Sequence, residues 1–240
     1  MTTLFISDLH LDDARPQSTE LFERFIREEA MQADALFVLG DLFEYWAGDD
    51  MPSKTSARVA AALSSLAESG VPAYFMHGNR DFLVGEEFAA QSRLELLPEA
   101  HLIDLHGTQT LLLHGDTLCI DDTVYQEIRL KVRSDQWQTW FLSQSPAERE
   151  AFALGARKES RAHQSNLSMD IMDVNQGFVC RTFERYGVSQ MIHGHTHRQA
   201  VHDHQTSDGS AQRFVLGDWY DKGSVLRAST DGLKLESYPG

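Results

Sequence analysis

Thiols are scarce in this chain: Cys119 and Cys180 are its only cysteines, far apart and outside any C-x-x-C spacing. That disfavours a disulfide framework and a cysteine-built structural zinc site. Long apolar runs are missing as well; no window of about 18 apolar residues occurs, so no segment is expected to span a bilayer. The opening stretch MTTLFISDLHL has no basic region before its apolar run, and that run is too short for a signal peptide. Positive charge is also short. Against 36 Asp and Glu stand 21 Lys and Arg, a net charge of −15, so the surface as a whole repels nucleic acid and acidic membranes. A polyanionic partner must then be met by a local basic patch or by metal cations. These absences predict a reduced, intracellular protein, soluble or peripherally bound, with no nucleic-acid partner.

What is present reads as alternating strands and helices, with no internal repeats or low-complexity segments. Buried-strand runs fall at Thr3–Ser7, Ala35–Gly40, Val71–Asn79 and Thr110–Asp116, and a fifth at QMIHGHTH. Helical spacing covers Ser18 to Ala30, with Leu21, Phe22, Phe25 and Ile26 on one face, and Ser56 to Glu68, with Val59, Ala60, Leu63 and Leu66. The tail from Arg213 to Tyr238 reads as antiparallel strands, with TSDGS (Thr206–Ser210) as a turn. The fold class is α/β, a β-sandwich flanked by helices, in one domain over residues 1–240.

Residues 124–165 break the pattern. They carry helical periodicity without a strand signal, and seven Lys/Arg against five Asp/Glu make them basic within an acidic chain. They read as a helical insertion that caps the core. Trp137, Trp140 and Phe141 in WQTWFL share a helical face. They either bury the insertion against the body or offer a greasy surface to an acyl chain or a membrane.

The stretch IHGHTHR sets His193, His195 and His197 at alternate positions. An extended chain turns such side chains to one face, and imidazole is the commonest metal ligand. The other strand ends supply partners: Asp8 and His10 in SDLH, Asp41 in LGDLFE, Asn79 in HGNRD, His114 in LHGD. Ligands of open α/β sheets gather at the carboxyl ends of strands. An aspartate there is often only a helix cap, and an asparagine after glycine only a turn, but one such site per strand exceeds what capping explains. Seven donors suit two metals about 3.5–4 Å apart, with Asp41 the candidate bridge. Carboxylate, imidazole and amide without thiolate favour two Mn²⁺ or iron, and admit Zn²⁺. The chemistry expected is hydrolysis of a phosphate ester or anhydride.

In this order, Asp8-x-His10, Gly40-Asp41, Gly78-Asn79, strand-end His114 and Gly194–His197 resemble the calcineurin-like metallophosphoesterase superfamily. The resemblance implies that Asp8, His10, Asp41 and His197 hold one metal, and Asp41, Asn79, His114 and His195 the other. His193 lies outside the pattern and reads as structural. Arg80 stands where many members have a histidine, and GDLFEYWAGDD lacks the Asp-Arg-Gly of protein phosphatases. Both features, with FISDLHL, HGNRDFL, HGDTLC, IMDVNQ, IHGHTHR and VLGDW, are similar to one branch: the pyrophosphohydrolases that act on acylated UDP-glucosamine in lipid A biosynthesis.

That resemblance implies hydrolysis of the diphosphate to UMP and a diacylglucosamine 1-phosphate by a two-metal hydroxide mechanism. It also implies a lipid-binding role for the insertion and peripheral attachment to the cytoplasmic face of the inner membrane; a monomer is expected. Asp41, Asn79, Arg80 and His195 would be catalytic, with Asn79, Arg80, Asp122, Ser160, Gln164 and His195 touching substrate. Arg80 can pair with phosphate oxygens; a salt bridge with Asp81 is its alternative. Leu167 stands where the branch carries a lysine, and Arg157, Lys158 and Arg161 are the neighbouring cations. Blander roles fall to Asp49 and Asp50 (turns), Asp116 (partner of a metal histidine), Cys119 (small and buried), His77 (behind Asn79), Asp170 and Asp173 (on a helix), and His202 and His204 (a solvated edge). Two rival functions remain: another dimetal phosphodiesterase or nucleotide pyrophosphatase, which needs no acyl slot, and a scaffold without metals, which predicts missing ligands.

Overall fold

The computed structural model describes residues 2–164, 171 and 173–239, with side chains for all of these except 160–164. In chain order the elements are β1 (Thr2–Ile6), α1 (Pro16–Glu28), β2 (Ala35–Leu39), α2 (Lys54–Glu68), β3 (Ala73–Met76), α3 (Glu86–Ser92), β4 (Leu94–Leu97), β5 (Ala100–Leu105) and β6 (Thr108–Leu113). Then follow α4 (Thr123–Val132), α5 (Asp135–Leu142), α6 (Pro146–Gln164), α7 (Gln176–Tyr186), β7 (Gln190–His193), β8 (Ala200–Thr206), β9 (Gly209–Val215), β10 (Gly223–Ser229) and β11 (Gly232–Tyr238).

Two sheets face each other. One runs β11-β10-β1-β2-β3-β4, with β1 to β4 parallel; the other runs β5-β6-β7-β9-β8, with β6, β7 and β9 parallel. Strand side chains alternate between faces, and here both faces are apolar. Phe5, Phe37, Leu39, Met76, Leu112 and Ile192 point between the sheets. Leu4, Ile6, Leu36, Val38 and Phe75 point outward, under Phe22, Phe25, Val59 and Leu63 of α1 and α2. On the far side Leu111, Leu113 and Met191 lie under Val179 and Phe183 of α7. The result is a four-layer α/β/β/α sandwich whose parallel strands bring their carboxyl ends to one edge.

Between β6 and α7 the chain leaves the sandwich as α4, α5 and α6. Polar anchors dock this insertion. Arg149 of α6, 2% exposed, donates to the Ala47 carbonyl at 2.7 Å and pairs with Asp50. Arg129 Nε of α4 meets Asp116 at 2.6 Å, and Arg133 Nη2 donates to the Gly78 carbonyl at 2.7 Å. The WQTWFL side chains divide: part of the stretch buries the insertion against the body, as the first reading expected, and part stays outward. Phe141 is buried with Ala47 and Leu83, and Trp137 stacks on it at 4.8 Å. Trp140 stays half exposed, and Ile128, Leu130, Phe152 and Leu154 elsewhere on the insertion are exposed as well. No helix among the described residues is long and apolar enough to cross a membrane.

The expected strands are present, as are the helices expected over residues 18–30 and 56–68 and in the insertion, and four elements were not expected: α3, β4, β5 and α7. The tail strands form two hairpins in different sheets, because β9 pairs with β7 while β10 pairs with β1. TSDGS turns between β8 and β9, and β8, which carries His202 and His204, is the sheet's edge. Asp173 precedes α7 rather than lying on a helix, since Asn175 caps the helix that begins at Gln176; Asp170 lies outside the described residues. Cys119 is buried among Leu111, Leu118 and Val179, and burial pushes its thiol up to about 12. In native protein at pH 8, iodoacetamide should label half-buried Cys180 and leave Cys119 unmodified, read by peptide mass spectrometry. Comparable labelling of Cys119 would contradict its placement.

Asp49 explains why α3 forms. That helix has no side-chain cap of its own. Asp49 reaches it from the loop after β2, accepting from the backbone N–H of Gly85 (2.9 Å), Glu87 (3.0 Å) and Phe88 (3.0 Å), and from Trp46 Nε1 (2.9 Å). Asp49→Ala orphans all four donors and should lower unfolding free energy by about 2 kcal/mol, measured by urea titration. A loss under about 0.5 kcal/mol would contradict this capping role.

Candidate metal centre

The loops that leave β1, β2 and β7 share an uncommon backbone. Asp8 (φ 56°), His10 (φ 50°), Asp41 (φ 51°), His195 (φ 68°) and His197 (φ 59°) are all left-handed. Only two other non-glycine residues among those described, Arg93 and His106, share that sign. Such conformations are costly for residues with a Cβ and persist where the surroundings hold them. Here the holding is reciprocal: Asp8 N–H donates to the Gly40 carbonyl at 3.0 Å and His10 N–H to the Asp41 carbonyl at 2.9 Å. Two glycines make room. A Cβ on Gly78 would lie 2.1 Å from Asp41 Oδ1, and one on Gly194 would lie 2.2 Å from Asp8 Oδ2.

With the loops that follow β3 (Asn79) and β6 (His114), these loops bring all seven predicted donors together. On one side, His197 Nε2 lies 3.3 Å from Asp8 Oδ1 and 3.2 Å from His10 Nε2, and His10 Nε2 lies 3.9 Å from Asp41 Oδ2. On the other, Asn79 Oδ1 sits 3.0 Å from His114 Nε2 and 2.9 Å from His195 Nδ1, and His114 Nε2 lies 3.7 Å from Asp41 Oδ1. Asp41 thus turns one oxygen to each half. Asp8, Asp41, His10 and His114 are at most 2% exposed.

The donors fit cations. Asp8 Oδ1 is buried and makes no well-formed hydrogen bond, facing the His197 Nε2 edge at 3.3 Å, and a buried carboxylate oxygen so weakly satisfied is expensive. Carboxylate, amide and imidazole atoms converge with no thiolate, a set suited to divalent metals of the first transition row. The surroundings hold each donor's far atom. Ser7 Oγ and His195 N–H donate to Asp8 Oδ2 at 2.5 and 2.9 Å, and His114 Nδ1 meets the Leu39 carbonyl at 2.8 Å. Asp81, fully buried, accepts from the backbone N–H of Asp41, Leu42, Phe43 and Gly78, so it fixes both ligand loops and is not the partner of Arg80. Burial and the neighbouring Asp41 charge raise its carboxyl to about 6.

Burial alone would lower His197, but hydrogen bonds and charge from Asp218 and Asp8 carry it up to about 10. Burial, with the His114 charge, lowers His195 to about 4. His193 is structural as expected. It is fully buried between the Gly194 carbonyl (2.8 Å) and Arg213 Nη1 (3.1 Å), and burial with the Arg213 charge lowers it to about 3.

Other expected residues divide. Arg80 flanks the cluster, its N–H donating to Asp41 Oδ1 at 2.8 Å. Asp122 caps α4 through the N–H of Tyr125 at 3.0 Å. Ser160 and Gln164 are on the backbone of α6, with side chains outside the described residues, as is Leu167. Asp116 does not bond a metal histidine; it takes Tyr125 Oη at 2.9 Å and Arg129, because α4 comes down onto it. His77 Nε2 meets the Val84 carbonyl at 2.7 Å. Sequence reasoning missed Tyr125, whose ring lies 6.1 Å from that of His195, Asp218, 3.4 Å from His197 Nδ1, and Glu44, 3.3 Å from His10 Nδ1. Glu44 and Asp218 sit within motifs already singled out, GDLFE and VLGDW.

A sequence model of the calcineurin-like phosphoesterases matches residues 1–199. The chain belongs to the calcineurin-like phosphoesterase family. Within it, three curated relatives all bear the name UDP-2,3-diacylglucosamine hydrolase. One from Stenotrophomonas maltophilia (strain K279a) is 52% identical over 99% of this chain and 98% of its own length. Another from Xanthomonas oryzae pv. oryzae (strain PXO99A) is 51% identical over 99% of both, and one from Xanthomonas campestris pv. campestris (strain 8004) is 53% identical over 98% of both.

Gly78→Ala should displace Asp41 and the Asn79 loop, cutting divalent-metal affinity and turnover by about 100-fold or more. Gly155→Ala, at a helical glycine whose Cβ would meet nothing within 4 Å, should keep both and add about 0.5–1 kcal/mol of stability. Calorimetric Mn²⁺ titration of both variants checks the pair, and undiminished binding by Gly78→Ala would contradict the geometry.

Proposed function

We propose that this chain hydrolyses the pyrophosphate bond of UDP-2,3-diacylglucosamine, releasing UMP and 2,3-diacylglucosamine 1-phosphate for lipid A biosynthesis, with two Mn²⁺ as its cations. The observation that carries this reading is the near-full-length identity to relatives of that name, in a chain that keeps all seven donors in one cluster. Asp8, His10, Asp41 and His197 would hold one cation and Asp41, Asn79, His114 and His195 the other. When bound, the cations lower the pKa of water and neutralise phosphoryl oxygens.

The chain's own groups do the rest. Asp41 offers a separate oxygen to each half of the cluster. Asn79 and His195 form the side facing α4, where the Tyr125 ring covers His195. The Arg80 guanidinium carries fixed charge that acts on Glu44 and Tyr220; its fork would take the diphosphate oxygens and the charge that grows as the bridging P–O bond breaks. Water adds to the uridine-side phosphorus, and the diacylglucosamine 1-phosphate leaves.

Asp122, Ser160 and Gln164 would contact the glucosamine half. Acyl chains would lie along the insertion, which leaves Ile128, Leu130, Trp140, Phe152 and Leu154 exposed; each buried CH₂ contributes about 0.8 kcal/mol. The same apolar side chains would serve a peripheral attachment to the membrane, for which we take the cytoplasmic face of the inner membrane and a monomer.

UMP release from UDP-2,3-diacylglucosamine, with Mn²⁺ or with EDTA and beside unacylated UDP-glucosamine, tests the reading. Fast release from the acylated substrate alone, abolished by EDTA and by Asp41→Ala and reduced about 100-fold by Arg80→Ala, is expected. Equal turnover of both substrates would overturn the lipid assignment. Metal-independent turnover would overturn the chemistry.

A further inference from the structure

Glu44 is a buried acid that the proposed chemistry leaves without a task. It follows β2 in GDLFE and is 7% exposed. Its backbone is pinned, since its N–H donates to the Leu11 carbonyl at 3.1 Å and Leu11 bridges Phe43. Its two oxygens face different partners. Oε2 lies 3.3 Å from His10 Nδ1 and 3.7 Å from Arg15 Nη2, and Oε1 lies 3.8 Å from Arg157 Nη1. His10 and Arg15 belong to the loop after β1; Arg157 belongs to α6 of the insertion.

We propose that Glu44 is a positioning residue that sets the metal edge and the cap together: one oxygen orients the ligand His10, the other holds Arg157 of α6.

The inference rests on the metal-centre reading above. A histidine that ligates through Nε2 carries its proton on Nδ1, and a carboxylate there fixes tautomer and ring angle. His10 Nε2 faces the cluster, and its buried Nδ1 makes no well-formed hydrogen bond, with Glu44 Oε2 the carboxylate oxygen 3.3 Å from it. Tyr220 stacks on the ring at 5.5 Å, and Arg15 lies over Tyr220 at 4.8 Å while donating to the His10 carbonyl. The ring is therefore bounded at its face and at Nδ1, and Glu44 supplies the second boundary. On the cap side, Arg157 lies over the Tyr45 ring at 4.7 Å. Arg149, about two helical turns earlier on α6, is tied to Asp50 and the Ala47 carbonyl. The Ala47–Asp50 loop thus holds α6 at one point and Glu44 at the next, so removing the Glu44 charge should free both His10 and Arg157.

Mn²⁺ titration of metal-free full-length protein by calorimetry, with wild type, Glu44→Gln and Glu44→Asp, tests the first half. Glu44→Gln should weaken Mn²⁺ binding about 10–100-fold, and Glu44→Asp should recover part of it. Unchanged affinity in Glu44→Gln would overturn the inference. Wild type that binds no Mn²⁺ would instead overturn the metal-centre reading. For the second half, KM for UDP-2,3-diacylglucosamine is measured at saturating Mn²⁺ in Glu44→Gln, Arg157→Ala and the double variant. The double variant should raise KM no more than the larger single effect. Multiplying effects would show that the two groups act separately and would overturn the link to the cap.

Discussion

Buried carboxylates and imidazoles converge where protein alone cannot satisfy them. Asp8 Oδ1 is buried with only a 3.3 Å approach from His197, and Asp41 sends its two oxygens toward different histidines. Without cations the histidines supply the compensation, which is why Asp8 and Asp218 drive His197 so far up. A ligand with two positive centres removes that demand. Much of the architecture follows from meeting it: strands that end on one edge, left-handed turns that swing five donors inward, and glycines where a Cβ would collide with a donor. Each turn taken singly is a local cost, borne because the sandwich fixes both flanks.

The insertion is the second layer of the same design. Its helices are joined to the catalytic loops by ion pairs and carbonyl contacts more than by a continuous core: Arg129 to Asp116, Arg133 to Gly78, Arg149 to Asp50 and Arg157 to Glu44. Apolar side chains that a globular domain would bury are left outward on α4, α5 and α6. Polar docking leaves those apolar side chains outward while α4 sets the Tyr125 ring against His195.

Much of the site was legible in the sequence, because one donor pair or singlet follows each apolar strand run and chain order alone predicts convergence. Asp8 and His10 follow TLFIS, and Asp41 follows ALFVL. The insertion was legible as a basic stretch without strands. What escaped depends on distant partners. Helix α3 is capped by Asp49 from 36 residues away. Strands β4 and β5 are short, and polar Glu95, His101 and Asp104 interrupt their apolar pattern. Asp116 was paired with the wrong group because nothing local announces that α4 brings Tyr125 and Arg129 onto it. Glu44 looked like one acid among many until α6 placed Arg157 beside it.

The central claim is that seven side chains form one centre for two cations bridged by Asp41. Anomalous diffraction at the manganese edge, from crystals grown with Mn²⁺, tests it most directly. The account predicts two manganese peaks, one on each side of Asp41, with His10 and His197 at one and His114 and His195 at the other. A single peak, or peaks that leave Asp41 without a metal contact, would contradict it.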